Sequence, residues 1–353
     1  MLLSGLVVGA ALGFAMQRGR FCVTGAFRDL WITRNTRWFT AFMVVVAIQS
    51  VGVFALDGLG IIHLTTPDFA WLATIVGAFV FGFAIVLAGG CATGTFYRSG
   101  EGLVGSWIAL AMYMLLSAVA KYGPLGASTK ALRSVTVPMD TIHGSLGVSP
   151  WLLVLLLVAG VGLAVRHHLT KPKRAVATLP PERTGLAHLL FEKPWHPFAT
   201  AAVIGALAIA AWPLSWATGR HSGLGITTPS ANALTWLTTG DADLVDWGVL
   251  LIAGLLVGSF IAAKASGEFK IRVPDARTTV RSIAGGALMG IGASWAGGCT
   301  IGNAMVNTAT FGYQGWVALI FMILGTGVAT RVFITGRRNP AGSAAPVAAP
   351  VPA

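Results

Sequence analysis

The feature that most constrains this chain is a series of apolar runs, each of about 15 to 20 residues. About 20 apolar residues are enough to cross the hydrocarbon layer of a bilayer as a helix. Only helices or closed barrels satisfy the backbone there, and these runs are too long for barrel strands. We therefore predict an all-α polytopic membrane protein with about nine transmembrane helices plus short broken or re-entrant ones. The nine runs cover residues 2–16, 38–56, 71–90, 103–120, 151–165, 198–213, 247–263, 282–298 and 316–333.

Charge is sparse and lies between these runs. Only 10% of the 353 residues are charged, yet the formal net charge is +12. Basic residues that flank membrane spans follow the positive-inside rule, so the lipid bilayer is the expected partner and nucleic acid is not. The loop at 57–68 has no lysine or arginine, and the polar stretch at 215–246 carries three aspartates, so both are placed outside. On this count the N-terminus lies outside and the C-terminus in the cytoplasm.

One short motif occurs twice, and each copy closes an apolar run. The copies are Gly89-Gly90-Cys91-Ala92-Thr93-Gly94 and Gly297-Gly298-Cys299-Thr300-Ile301-Gly302. With nine crossings, the run that leads to the first copy descends through the membrane and the run that leads to the second ascends. This arrangement is typical of inverted-topology repeats, whose broken helices meet near the bilayer midplane to form a site.

The similarity between the copies extends beyond the motif. Superposing Cys91 on Cys299 also aligns Gly77 with Gly285, Gly82 with Gly290 and Ala88 with Ala296. We therefore predict two pseudo-symmetric halves in a single membrane domain. The first half covers 1–165 and the second covers 198–335, joined by a basic cytoplasmic linker at 166–197. A Pro/Ala-rich tail at 336–353 is expected to be disordered.

The glycine pair in each copy predicts a helix that stops inside the membrane. Such a break leaves carbonyl groups at the end of one helix and N–H groups at the start of the next. Glycine permits the turn and leaves the amides uncovered, so they can bind an anion without a buried cation. Hydroxyl and amide side chains add donors or caps. The predicted binding residues at the breaks are Gly89, Gly90, Thr93, Gly297, Gly298, Thr300 and Asn303.

The three cysteines narrow the choice of anion. Cys91 and Cys299 follow the glycine pairs, and Cys22 follows a basic stretch that contains a glycine. A neutral thiol is a weak donor and a soft atom, so it suits a sulfur-bearing anion better than phosphate. We predict that the three thiols pass such an anion along one route through several weak sites. Their spacing fits neither a disulfide framework nor zinc, and no metal or cofactor is expected.

Packing offers a competing explanation for these residues. A cysteine in a membrane helix is often a small packing residue, and glycines often form close helix contacts. Two runs carry glycines at intervals of four, which makes a smooth stripe for another helix: Gly5, Gly9 and Gly13 in the first, and Gly254 and Gly258 in the seventh. Farther along, Arg98 and Glu101 are expected to form an interfacial ion pair.

Three separated motifs, each with a cysteine, resemble the YeeE/YedE family of bacterial sulfur-transport membrane proteins. They are Arg18-Gly19-Arg20-Phe21-Cys22, Ala88-Gly89-Gly90-Cys91-Ala92-Thr93-Gly94 and Trp295-Ala296-Gly297-Gly298-Cys299-Thr300-Ile301-Gly302. The likeness is greatest to members that take up thiosulfate. It implies an hourglass-shaped inner-membrane protein whose route is lined by Cys22, Cys91 and Cys299. It also implies a small cytoplasmic sulfur carrier of the TusA type as a separate partner chain.

Three functions are open at this point. The leading one is a transporter, not an enzyme, that moves thiosulfate inward; another sulfur or selenium compound is an alternative cargo. The second is a membrane sulfurtransferase that carries a cysteine persulfide. Cys22 is the best candidate for that chemistry, because a nearby cation such as Arg18 or Arg20 favours the thiolate. The third is a structural subunit that recruits a soluble sulfur carrier through its basic loops.

Overall fold

The computed structural model describes residues 1–65, 68–171, 184–193 and 195–336. Within these ranges the chain is mainly helical, and extended residues pair there only as isolated β-bridges. The α-helices there are α1 (Leu3–Arg18), α2 (Val23–Ile32), α3 (Arg37–Gly58), α4 (Trp71–Leu87), α5 (Ala92–Gly100), α6 (Val104–Lys121), α7 (Gly126–Arg133), α8 (Ile142–Leu146), α9 (Pro150–Thr170), α10 (Gly185–Ala187), α11 (Pro197–Trp216), α12 (Thr227–Thr239), α13 (Trp247–Ala265), α14 (Ala276–Ala296) and α15 (Tyr313–Thr330). Segments of π-helix lie at His188–Glu192, Thr300–Asn307 and Arg331–Thr335.

Each of the nine predicted runs contains one long helix. In the described part of the chain, eight stretches are long and apolar enough to cross a bilayer. Two of them, Leu3–Ile32 and Trp71–Gly100, continue through a break between successive helices. The predicted crossing that is not among these eight is the run at 282–298, which lies in α14; this helix has 21 residues but carries Arg277 and Arg281 near its start. The prediction of an all-α polytopic membrane protein is confirmed.

Helices α1 and α13 lie parallel and touch backbone to backbone. A Cβ added to Gly9 would overlap the carbonyl of Leu251, and one added to Gly254 would overlap the carbonyl of Leu6. A second set of the same kind joins Gly13 to Leu255 and Gly258 to Ala10. Small residues let helices approach closely in lipid, where packing and interhelical hydrogen bonds drive association. The two predicted glycine stripes therefore pack against each other.

Four helices pack side by side in the order α6, α14, α4 and α15. The middle pair, α4 and α14, is antiparallel, because Gly77 lies against Ala296 while Gly285 lies against Ala88. The motif superposition aligns these same residues, so the two contacts are counterparts of each other. The end of α4 therefore packs against the first half of α14, and the end of α14 packs against the first half of α4.

The pair α4 and α15 and the pair α14 and α6 are also counterparts under the motif superposition. Gly82 of α4 lies against Met322 of α15, and its aligned residue Gly290 of α14 lies against Tyr113 of α6. Both pairs run parallel, since later residues of one helix meet later residues of the other. The inverted relationship of the two halves stays a prediction, and these reciprocal contacts support it.

Several boundaries differ from those expected. Helix α9 continues to Thr170, so the predicted linker at 166–197 begins in a helix. Residues 172–183 and 194 of that linker lie outside the described residues, as do 337–353 of the predicted tail. The stretch at 215–246, predicted as a polar external segment, contains α12, whose first half is buried. The polar composition of α12 made it look like a loop, although the hydroxyl side chains of Thr227 and Ser230 in its first half are buried in the protein.

The α1–α13 contact predicts an unequal response to alanine. Gly13→Ala should lower the melting temperature in detergent, because the new methyl overlaps the Leu255 backbone and overpacking costs about 1–3 kcal/mol. Gly160→Ala on α9 is the matched control, since a Cβ there meets nothing within 4 Å. Thermal unfolding followed by size-exclusion chromatography measures both. Equal melting temperatures for the two variants would contradict this packing.

Candidate functional site

All three cysteines occupy the same structural position. Each is the N-cap of the helical segment that follows a break: Cys22 precedes α2, Cys91 precedes α5, and Cys299 precedes the π-helix Thr300–Asn307. Backbone N–H groups point out of the first turn of a helix and carry a partial positive charge. Each thiol therefore lies beside groups that attract an anion. The sequence placed the cysteines at breaks, and the structure adds that they cap the next helix.

The first break follows α4. The chain turns at Gly89, whose φ of +71° lies in the left-handed region that glycine adopts without strain. Cys91 is fully buried, and its Sγ accepts a hydrogen bond of 3.4 Å from the Gly94 N–H. Gly90 is buried in the same turn. This thiol thus replaces the side-chain oxygen that usually caps a helix.

The second break has the same turn and a larger hydrogen-bond network. Gly297 has a φ of +77°, and Gly298 and Cys299 are buried after it. The Asn303 side-chain amide donates to the carbonyls of Ala296, at 2.8 Å, and Gly298, at 3.0 Å. Gln314 Nε2 donates to Asn303 Oδ1 at 2.9 Å. In this structure the Asn303 amide therefore satisfies carbonyls at the end of α14 rather than pointing into an open site.

The two breaks meet in the protein interior. The Thr300 side chain of the second break lies beside the Cys91 thiol of the first, and Thr227 of α12 lies beside Cys299. Tyr113 of α6 is fully buried, and its hydroxyl donates at 2.9 Å to Oγ1 of Thr227, the residue beside Cys299. Helices from both halves thus surround the two thiols with hydroxyl groups.

Two hydroxyls at this meeting point are buried without a geometrically normal hydrogen bond. Thr93 Oγ1 and Thr300 Oγ1 are both fully enclosed, and no described residue offers either one a partner of standard geometry. A buried hydroxyl without a partner costs about 1–3 kcal/mol. These two predicted site residues thus retain unused hydrogen-bonding capacity beside the buried thiols.

Cys22 lies at a polar cavity of about 220 Å³. Its sulfur is 3.6 Å from Arg98 Nη2, while Arg98 Nη1 donates to the Gly89 carbonyl. The expected ion pair between Arg98 and Glu101 is wrong, because the guanidinium turns toward the break instead. Arg18 and Arg20, which were expected to activate Cys22, both pair with Glu268, at 3.5 and 3.2 Å.

A second arginine lies at the other break. Arg133 Nη1 of α7 donates to the Trp295 carbonyl at 3.1 Å, and a Cβ on Gly297 would overlap its guanidinium. Burial lowers the pKa of Arg133, but an ordinary arginine titrates far above neutral pH, so the group stays charged there. Each glycine break therefore has an arginine on a carbonyl at or just before it.

Sequence reasoning missed Tyr113, Thr227 and Arg133, and it gave Arg98 the wrong partner. A signal for Thr227 was present, because threonine followed by Pro229 is typical of a helix start. No local pattern marks Tyr113 or Arg133, since their positions depend on how distant helices pack.

Known proteins resemble this chain in sequence. The sequence pattern of a family described as sulphur transport matches residues 18–328, which include all three cysteines. The chain belongs to the sulphur transport family. It is 54% identical over 330 residues to the thiosulfate transporter TsuA of Escherichia coli, with 94% of each chain covered. It is 31% identical over 344 residues to the thiosulfate transporter TsuA of Spirochaeta thermophila, with 92% of this chain and 97% of that one covered.

A further relative shares only part of the chain. The probable transporter YedE of Escherichia coli is 38% identical over 104 residues, which cover 29% of this chain and 25% of that one. All of these family members are named as transporters, which supports a transport protein rather than an enzyme. Of the two arginines expected to activate Cys22, Arg18 pairs with Glu268, while Arg20 pairs with Glu268 and also lines the Cys22 cavity. The cation that contacts the sulfur is Arg98.

The geometry of the second break predicts coupling between Gly297 and Arg133. Gly297→Ala should destabilise the fold in two ways. Alanine is strained in the left-handed backbone conformation of this position, and its methyl should displace the Arg133 guanidinium, so that the hydrogen bond to the Trp295 carbonyl, worth about 1 kcal/mol, is lost. In an Arg133→Ala background the second effect disappears, so the two substitutions are not additive. Gly89→Ala is the control, because its Cβ meets no atom within 4 Å. Additive changes in melting temperature would contradict the predicted contact.

Proposed function

We propose that this chain is an inner-membrane transporter that takes up thiosulfate. The observation that carries the proposal is the meeting of two buried thiols, Cys91 and Cys299, at the N-caps of helices broken inside the protein. Full-length relatives of the sulphur transport family are named thiosulfate transporters, which supports this cargo. The bilayer is the medium that the apolar helices require.

Thiosulfate has two chemically different ends, and the breaks offer a group for each. Its terminal sulfur is soft and accepts a hydrogen bond from a neutral thiol, while its oxygens accept bonds from backbone N–H groups at a helix start. We propose that the hydroxyls of Thr93 and Thr300 gain their missing partner when the anion passes. Each contact is weak, which allows the anion to leave as readily as it arrives.

The route is proposed to join Cys22, Cys91 and Cys299. Because α4 and α14 are antiparallel, the two glycine breaks are approached from opposite sides of the membrane. The basic segments favour an orientation with the N-terminus outside and the C-terminus in the cytoplasm. On this orientation thiosulfate enters from outside at the Cys299 break and leaves through the Cys22 cavity. Cytoplasmic consumption of thiosulfate would draw net flux inward.

A small cytoplasmic sulfur carrier of the TusA type is proposed as a separate partner chain. It would receive sulfur on the side where the basic segments lie, including Arg28, Arg34 and Arg37 after the Cys22 break. By helping to consume imported thiosulfate, the carrier would keep the cytoplasmic thiosulfate concentration low and the thiosulfate gradient directed inward. Transport itself is proposed to need only this chain.

Uptake of radiolabelled thiosulfate into proteoliposomes tests the proposal. Cys91→Ala and Cys299→Ala should each lower kcat/KM by about tenfold or more, because each removes a donor from a buried site. Serine retains a donor, so the serine variants should keep part of the uptake. Gly160→Ala, on the outer surface of α9, is the control for insertion and folding. Unchanged uptake in both alanine variants would refute the role of the thiols.

A further inference from the structure

One cation, the guanidinium of Arg98, touches the thiol of Cys22. Arg98 lies on α5, the helix that Cys91 caps, and its guanidinium reaches both the Cys22 sulfur and the Gly89 carbonyl. A single side chain thus connects the Cys22 cavity with the first glycine break. Tyr97 lies beside the same guanidinium, with its ring centre 5.9 Å from Arg98 Cζ.

The cavity at Cys22 suits a small anion. Arg98 lines it together with Arg20, Arg28 and Asp29, so three cations face one carboxylate. Arg20 also pairs with Glu268 outside the cavity, which leaves Arg28 and Arg98 against Asp29. The balance is positive, and a cleft lined by one sign of charge concentrates ions of the other sign. A volume of about 220 Å³ has room for an oxyanion together with water.

In the described part of the chain Arg98 forms no ion pair, and the carboxylate of Glu101 interacts with its charge only from a longer distance. Among the described residues no carboxylate lies within 4.0 Å of its guanidinium, and its neighbours there are a thiol, a carbonyl and a tyrosine ring. A partly buried cation is costly unless it is paired. The Gly89 carbonyl and the Cys22 sulfur each accept from one of its five N–H donors, and the others remain for a ligand.

We infer that Arg98 is an anion-binding residue that holds the transported dianion beside the Cys22 thiol. The planar guanidinium fork matches two oxygens of a sulfonate-type group, which leaves the terminal sulfur of the anion for the thiol. This inference rests on the proposed function for the identity of the anion as thiosulfate. The competing explanation is that Arg98 only caps the carbonyl at the end of α4, as basic side chains do at helix ends.

The reactivity of Cys22 separates the two explanations without any transport. The full-length protein in detergent is treated with an anionic reagent, sulfonatoethyl methanethiosulfonate, or a neutral one, methyl methanethiosulfonate. Mass spectrometry of peptides gives the modification rate at Cys22. The ratio of the anionic rate to the neutral rate reports attraction of anions, because any change in the nucleophilicity of the sulfur affects both reagents alike. We expect Arg98→Gln to lower this ratio about tenfold.

Two control variants define what the ratio means. Arg133→Gln removes an arginine with the same kind of carbonyl bond at the other break, and it should leave the ratio unchanged. Arg28→Gln removes a charge from the same cavity without a contact to the sulfur, and it should lower the ratio less than Arg98→Gln does. Equal effects of Arg28→Gln and Arg98→Gln would indicate that the summed charge of the cavity attracts the anionic reagent without a specific role for Arg98, and would overturn the inference.

Thiosulfate uptake supplies the second measurement. Arg98→Gln should raise KM more than it lowers kcat, because the residue binds the anion at one end of the route. If Arg98→Gln lowers the ratio but the wild type takes up no thiosulfate, then Arg98 binds an anion and thiosulfate is not the transported one. An unchanged ratio with normal uptake would reject the role of Arg98 and retain the transporter. If Arg98→Gln does not fold, Arg98→Lys decides: it keeps the charge and should keep the anionic preference, and its loss would contradict the inference.

Discussion

A helix that ends within a membrane protein leaves backbone groups that need partners, and the breaks after α4 and α14 are arranged around that constraint. Helices α4 and α14 both end in a glycine with left-handed backbone, and a cysteine caps the helical segment after each. Side chains satisfy carbonyls at both ends, through Arg98 at the first break and Asn303 at the second. The N-terminal turns that follow present their N–H groups beside the thiols, which makes a bound anion the natural complement.

Close glycine contacts bring the two breaks together. Gly77 and Gly285 let the backbones of α4 and α14 touch, so the thiols of two distant motifs lie in one hydroxyl-lined interior. The α1–α13 contact does the same for the helices outside this core, and α1 leads directly to Cys22. The glycines of the sequence therefore fit both explanations that it left open: one group packs helices closely, and those before Cys91 and Cys299 lie at the breaks.

The sequence predicted the membrane class, the nine long helices and the placement of the three cysteines at breaks, because apolar length and glycine pairs are local signals. It missed the short α12 and the contacts of Tyr113, Thr227 and Arg133, since these depend on distant helices coming together. Arg98 was assigned to Glu101 on sequence proximity alone, whereas the turn at Gly89 directs it back toward Cys22. The residues of the site could thus be predicted from local sequence, and the residues of distant helices that contact them could not.

The central claim is that a sulfur-bearing anion contacts the buried thiol of Cys91 at the meeting of the two breaks. Its most direct test is the rate at which a small neutral alkylating reagent modifies Cys91 in the full-length protein, followed by peptide mass spectrometry. The account predicts that thiosulfate slows this modification, while sulfate, which has the oxygens but no terminal sulfur, does not. Equal protection by both anions, or protection by neither, would contradict it.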